Sequence, residues 1–298
     1  MELTANTEMA RDLSPAPIDV IPTGAALGAE LRGLDLRDID AAQFAAIEQA
    51  FHDHGVLLVR GQRLSDQDLI AFSRRFGDLD WAPVQETGRR FVEGLPEIYI
   101  VSNVLVNGEP IGSLGAGEAV WHTDMSYLEV PPMASMLYAI EVPPSGGNTS
   151  FCSMVAAYAA LPEALKRRID GLTIKHDGTY NSGGYLRQGV TATDDPRTSP
   201  GALHPLVCIH PDTGRRMLYL GRRRNAYLEG LELAESEALL DELWEVAARP
   251  EFAWEHVWQV GDLVLWDNRS TMHRRDPFDA TARRIMHRTQ IKGAAAPR

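Results

Sequence analysis

Between Ile98 and Cys152 the chain is cut into short apolar runs by tight turns, and this segmentation limits its fold more than any other feature. Residues 98–101 read as a strand. The stretch 105–118 holds Gly108, Pro110, Gly112, Gly115 and Gly117, too glycine-rich to keep regular structure cheaply. It delivers the chain to Trp121 and His122. Then come Pro131-Pro132, an apolar strand over 135–142, a turn at 144–147, and a short strand through Thr149, Phe151 and Cys152. Such a succession is what a β-sandwich or barrel produces.

Within this run His122 and Asp124 stand two residues apart, so on an extended strand both side chains leave one face. An imidazole and a carboxylate so placed can reach one divalent cation. A further His would complete three ligands on one side of the metal, the arrangement of non-haem Fe(II) oxygenases, with the opposite positions open. His-x-Asp alone also fits a surface turn, and the C-terminal region decides between the two. There the segment Trp266-Asp267-Asn268-Arg269-Ser270-Thr271-Met272-His273 starts at the end of a hydrophobic strand and finishes on a His. Shortly afterwards comes Arg283-Arg284-Ile285-Met286-His287-Arg288-Thr289-Gln290.

The rest of the chain frames these segments. Residues 1–17 read as a flexible tail and 18–298 as one domain. A helix is expected over 41–54, ended by Gly55, with a buried strand at 56–59. Ser65-Asp66-Gln67-Asp68 is a capping box opening a second helix that carries Leu69, Phe72 and Phe76. Residues 80–95 read as a loop and 154–170 as one long helix. The polar segment 177–201 reads as an active-site lid, with plain disorder as the alternative.

Strands are expected over 204–210 and 216–220, joined by a turn at Pro211-Asp212-Thr213-Gly214. A helix over 235–248 and strands over 252–259 and 263–266 complete the pattern. Arg222-Arg223-Arg224 reads as a solvated loop, with anion attraction as the alternative. His204 and His210 read as satisfied strand-end residues, and His52, His54 and His256 as surface or helix positions. The fold class is therefore mainly β with flanking helices, several of them gathered towards the N-terminal end.

Composition excludes several functions. The 298 residues are 44% hydrophobic and 23% charged, ordinary for a globular domain. A formal net charge of −12 and a pI near 5.2 disfavour nucleic acid and anionic membranes as partners. Cys152 and Cys208 form no close pair, so neither a disulfide framework nor a structural zinc site is implied. With no signal-peptide pattern and no apolar run of membrane-spanning length, a cytoplasmic location is expected.

Taken together, His122-Thr123-Asp124, Trp266-Asp267-Asn268-Arg269 with His273, and Arg283-Arg284-x-Met286-His287-Arg288, in that order, resemble the taurine dioxygenase/2,4-dichlorophenoxyacetate dioxygenase family. The resemblance runs from about residue 18 to 291 and includes the Arg-Arg-Phe-Gly helix end and the Ser-Gly-Gly-x-Thr turn. It implies a double-stranded β-helix (jelly roll, cupin-like) with Fe(II) held by His122, Asp124 and His273. It also implies 2-oxoglutarate held by Arg284 with help from the Thr149 hydroxyl, O2 as oxidant, and succinate and carbon dioxide as co-products.

By the same resemblance Arg288 binds the anionic head of a small organic acid. It lies four residues after Arg284, hence on the same strand face, whereas Arg283 and His287 point away. Glu118 and Tyr180 are further substrate-binding candidates, and His176 a pocket candidate. Taurine-specific members carry a His and a Tyr where this chain has Ala82 and Gln85, and an Asn where it has Glu118, so taurine is disfavoured. An aryloxyalkanoate or similar aromatic carboxylate is the expected substrate, with alkyl sulfates and sulfonates second. A metal barrel that binds anions without catalysis is the alternative from another class. Halogenation is disfavoured because it needs a small residue in place of Asp124. A homo-oligomer is implied by the resemblance.

Overall fold

A computed structural model describes residues 18–298 except 86, 87, 90 and 194, and at 84, 85, 88 and 89 the backbone alone. The expected tail, 1–17, lies outside the described residues. Thirteen strands form two sheets: β1 Asp19–Pro22, β2 Ala29–Arg32, β3 Val56–Val59, β4 Phe91–Val92, β5 Leu95–Ser102, β6 Ser113–Leu114, β7 Ala119–His122, β8 Ala134–Glu141, β9 Thr149–Ser153, β10 Ala253–His256, β11 Leu263–Asp267, β12 Thr271–Arg275 and β13 Ile285–Ile291. The larger sheet runs β1-β2-β3-β11-β8-β13-β5-β6, with β4 beside β5, and the smaller runs β7-β12-β9-β10. This is the double-stranded β-helix, or jelly roll, expected from the sequence.

Side-chain alternation builds three apolar layers. Val56 and Leu58 of β3, Leu137 and Ala139 of β8, Val264 and Trp266 of β11 and Met286 of β13 meet Phe151 of the smaller sheet between the sheets. Their neighbours Leu57, Val59, Met136 and Leu265 point outwards and are covered by helices α1 (Ala41–His54) and α2 (Asp66–Ser73). Strands buried on both faces explain why β3 and β11 read as continuous hydrophobic runs. On the far side, Cys152 and Met272 pack under α3 (Met154–Ala160), α4 (Glu163–Ile169) and α5 (Leu233–Ala247). Burial pushes both thiols, Cys152 and Cys208, up to about 12, so they serve as apolar packing.

Local signals act as expected at several points. Asp40 caps α1 in a capping box with Gln43, and Gly55 ends it at φ 69°, a left-handed conformation open to glycine. Ser65 and Asp68 cap α2 reciprocally. That helix stops at Ser73, and Phe76 then packs edge-on against Phe44, Phe51 and Phe72 from the following turn.

Other expectations are corrected. The helix expected over 154–170 is two, because Pro162 has no N–H to donate and forces Leu161 into extended backbone. Residues 80–95 hold short strands, Val84–Gln85 paired with Gly88–Arg89, and β4. The strand expected over 204–210 is also two, Leu203–Pro205 and Val207–Ile209, which pair in different sheets. Among the described residues, three of the five α-helices belong to the second half of the chain, not its N-terminal end. His256 is buried, 3.0 Å from Asp262, where a surface position was expected. Among the described residues no helix is long and apolar enough to cross a membrane.

Candidate active site

The strand β7 lies antiparallel to β12 with His122 opposite His273, and the turn after β7 carries Asp124 beside them. One ligand atom from each residue lies within 4.8 Å of the others. The Nε2 atoms of His122 and His273 stand 3.6 and 3.9 Å from Oδ1 of Asp124. The Nδ1–H of His122 donates to the Val120 carbonyl at 2.7 Å, a bond that fixes the tautomer and leaves the Nε2 lone pair facing Asp124.

Electrostatics prepare the three for a cation. Burial, reinforced by neighbouring His122 and Arg288 against the pull of Asp124, pushes His273 down to about 3, so its imidazole stays neutral. For Asp124 burial opposes ionisation, but the neighbouring Arg288 guanidinium outweighs it and holds the carboxyl well below its usual range. Two imidazoles and one carboxylate on one side are a donor set for a divalent transition metal.

The Trp-Asp-Asn-Arg motif explains how Asp124 is aimed. Ser135 Oγ donates to Asp124 Oδ2 at 2.8 Å, Asn268 Nδ2 donates to Ser135 Oγ at 3.0 Å, and Trp266 Nε1 donates to Asn268 Oδ1 at 2.9 Å. Asp267 points the other way and receives His210 Nε2 at 2.8 Å and Arg269 Nη2 at 2.7 Å. Thr123, between two of the candidate ligands, donates its N–H to the Gly221 carbonyl at 3.0 Å. The sequence reading missed Ser135, whose only signal was a polar residue inside an apolar strand.

Behind the cluster one cavity is lined by His122, His273, Thr149, Arg284 and Arg288. Arg284 is 1% exposed, and among the described residues its Nε and Nη1 have no hydrogen-bond partner. Buried donors without an acceptor point to a missing anion. Burial, with Arg275 as a second cause, holds the Arg284 pKa below its ordinary value, which a bound carboxylate would reverse. Thr149 Oγ1 accepts from Trp258 Nε1 at 2.9 Å, leaving its O–H to donate into the cavity. These groups fit the distal carboxylate of 2-oxoglutarate.

Arg275 also lines this cavity and was not singled out beforehand. It stands two residues after His273 on β12, hence on the same face. Its Nη2 donates to the carbonyls of Leu114, at 3.0 Å, and Gly117, and burial pushes its pKa down to about 10.

A second cavity meets the first at His122 and Arg288 and is walled by Pro83, Tyr99, Leu114, Met125 and Tyr127. Arg288 lies over the Tyr99 ring, 4.8 Å from its centroid, and its Nη1 is 3.1 Å from Asp124 Oδ1. Arg283 turns outwards to Glu141, and His287 to Asp66 at 2.6 Å, as strand alternation requires.

Two substrate-binding candidates are not brought into either cavity. Glu118 is exposed, because a bulge between Ala119 and His122 shifts the alternation and Ala119 faces inwards instead. Tyr180 is half-buried under the Arg224 guanidinium at 3.5 Å, and its following residues, Asn181 and Ser182, line the second cavity. His176 is buried against His204 and Tyr219 and lines neither cavity.

The segment 177–201, as far as it is described, is a series of hydrogen-bonded turns closed by a Tyr180–Leu186 bridge. The arginine run is not a solvated loop. Arg222 is half-buried on Asp177, Arg223 pairs with Glu237 and Asp241 of α5, and Arg224, itself exposed, covers Tyr180.

A jelly roll that gathers two imidazoles and a carboxylate beside a buried, anion-ready arginine defines a non-haem metal oxygenase. The chain belongs to the TauD/TfdA family of dioxygenases, whose model, "Taurine catabolism dioxygenase TauD, TfdA family", matches residues 17–290. It is 35% identical over 297 residues to the (S)-phenoxypropionate/alpha-ketoglutarate-dioxygenase of Sphingobium herbicidovorans, covering 95% of this chain and 98% of that one. It is 37% identical over 268 residues to the alpha-ketoglutarate-dependent 2,4-dichlorophenoxyacetate dioxygenase of Cupriavidus pinatubonensis, covering 87% and 92%.

Among solved structures, AAD-2 in complex with Mn(II) and N-oxalylglycine superposes with a TM-score of 0.76 at 31% identity, covering 94% of this chain and 99% of that one. The protein is accordingly a 2-oxoglutarate-dependent dioxygenase that uses Fe(II) and O2. The iron supplies O2 activation and the oxidising power for hydroxylation.

Proposed function

We propose that this dioxygenase hydroxylates an aryloxyalkanoate or similar aromatic carboxylate, releasing succinate and carbon dioxide from 2-oxoglutarate in the same turnover. The observation that carries this reading is the second cavity, beside His122 and Asp124. It offers Arg288 to a carboxylate and the surfaces of Tyr99, Tyr127, Pro83 and Leu114 to an arene. The printed activities of the phenoxypropionate and dichlorophenoxyacetate relatives agree with it.

In this reading His122, Asp124 and His273 hold Fe(II), and Arg284 with Thr149 holds the distal carboxylate of 2-oxoglutarate. Arg288 orients the substrate so that the carbon beside its ether oxygen faces the metal. Hydroxylation there would make a hemiacetal, which collapses to a phenol and a 2-oxo acid. Residues 18–298 act as one domain, in the cytoplasm and as a homo-oligomer.

The test is anaerobic titration with Fe(II) and 2-oxoglutarate, following the visible charge-transfer band of the chelate, in wild type and His122→Ala. A band that depends on His122, followed by succinate release with phenoxyacetate or phenoxypropionate, supports the assignment. A band without turnover of any phenoxy acid removes the substrate and leaves the metal site standing. No band at all removes both, and an anion-binding barrel becomes the better description.

A further inference from the structure

The second cavity holds one arginine that its carboxylates do not match. Three arginines line it, Arg187, Arg222 and Arg288, against two carboxylates, Asp124 and Asp177. Asp177 is matched by Arg222, whose Nη2 lies 3.1 Å from its Oδ2. Asp124 is matched by Arg288 and belongs to the metal cluster. Among the described residues no carboxylate lies within ion-pair distance of Arg187.

Arg187 is nonetheless held in place. Its backbone N–H donates to Thr179 O at 2.9 Å and its Nε to Tyr180 O at 3.3 Å. Its guanidinium lies over the Tyr127 ring, 4.3 Å from the centroid. The turn that receives it is itself built: the Asp177 carboxylate accepts the N–H of Thr179 at 3.1 Å, and Arg222 Nη2 donates to Tyr180 O at 2.7 Å. Its Nη1 is buried and, among the described residues, has no hydrogen-bond partner.

A fixed guanidinium stacked on an aromatic wall, with a buried donor facing no acceptor, is in the state of Arg284 before its carboxylate arrives. The two stacked pairs, Arg288 on Tyr99 and Arg187 on Tyr127, belong to the same cavity but to different parts of the fold. Arg288 comes from the core strand β13, and Arg187 from the turns of 177–201.

We propose that Arg187 receives a second anionic group on the substrate, so that the preferred substrate is a dianion. It has one carboxylate on Arg288 beside the metal and another anion at the remote end of the molecule, on Arg187. This deepens the aryloxyalkanoate reading and rests on it for the first carboxylate. It narrows the class to acids whose arene bears a carboxylate or comparable anion in place of a halogen.

The test compares para-carboxyphenoxyacetate with para-chlorophenoxyacetate, binding each anaerobically to the Fe(II)–2-oxoglutarate enzyme and reading the perturbation of the visible band. Wild type is expected to bind the dianion more tightly by about tenfold or more, and Arg187→Gln to bring the ratio of the two affinities near one. Equal or tighter binding of the monoanion by wild type overturns the inference, with no variant needed. So does an Arg187→Gln enzyme that weakens both acids by one factor, since Arg187 would then share the first carboxylate with Arg288. If neither phenoxy acid perturbs the band, the aryloxyalkanoate reading fails by itself. Hexyl sulfate against its terminally carboxylated counterpart then decides the second anion by the same ratio.

Discussion

Ser135 Oγ donates a hydrogen bond to Asp124 Oδ2 at 2.8 Å, and Asn268 reaches the same hydroxyl from behind at 3.0 Å. The relay fixes which carboxylate oxygen is left for the metal. Outer residues of this kind tune metal affinity by about 10- to 100-fold. Asn268→Ala and Ser135→Ala should each raise the Fe(II) concentration needed to develop the chelate band by a factor in that range. Unchanged titrations for both would show that Asp124 is held without them.

Arg284 has two buried donors without partners among the described residues, so its interaction with a bound carboxylate is made wholly inside the protein. Arg284→Gln should weaken 2-oxoglutarate by about 2–5 kcal/mol, roughly thirtyfold or more. The measurement is the 2-oxoglutarate concentration dependence of succinate release. An unchanged KM would place the co-substrate elsewhere, with Arg275 the next residue to replace.

Gly221 has φ 64°, and a Cβ there would stand 1.9 Å from His176 Nδ1 and 2.8 Å from Ser126 Oγ. Its carbonyl also receives Thr123 between two candidate ligands. Gly221→Ala should therefore cost more than about 2 kcal/mol and lower metal affinity, read by denaturant unfolding and iron titration. Adding His176→Ala should recover part of the stability, because it removes the nearest clash but not the backbone strain.

His176 carries a pH signature. It is 1% exposed, and burial, then His204, hold its pKa well below 6.5. The unfolded chain binds a proton there that the folded chain refuses. Stability is therefore full above about pH 6.5 and declines as the pH falls below it. His204, pushed down mainly by burial, acts in the same direction. Thermal unfolding between about pH 8 and 5 should show the decline, and His176→Leu should flatten it. A slope unchanged in the variant would assign it to other groups.

Much of this architecture is legible from local pattern. The capping boxes of α1 and α2, the Gly55 stop and the doubly buried β3 depend on neighbouring residues alone, and they fold as the chain reads. Period-two alternation likewise puts Arg284 and Arg288 on one face and sends Arg283 and His287 to Glu141 and Asp66. Where a local rule had a local exception it failed. The bulge between Ala119 and His122 turned Glu118 outwards, and Pro162 split a helix whose apolar pattern ran straight through it.

By itself, then, the sequence determined the class of fold, the donor types and the residues able to carry charge, because these follow from periods of two and 3.6 and from side-chain chemistry. Only the tertiary structure decided which charges are left over. Arg222, Arg223 and Arg224 are identical and consecutive, yet one is half-buried on Asp177, one pairs with α5 and one covers a tyrosine. Arg187 and Arg275, unremarkable in the sequence, end in the two cavities. The free energy of a charge depends on the dielectric and the partners that distant segments bring to it, and no local pattern encodes either.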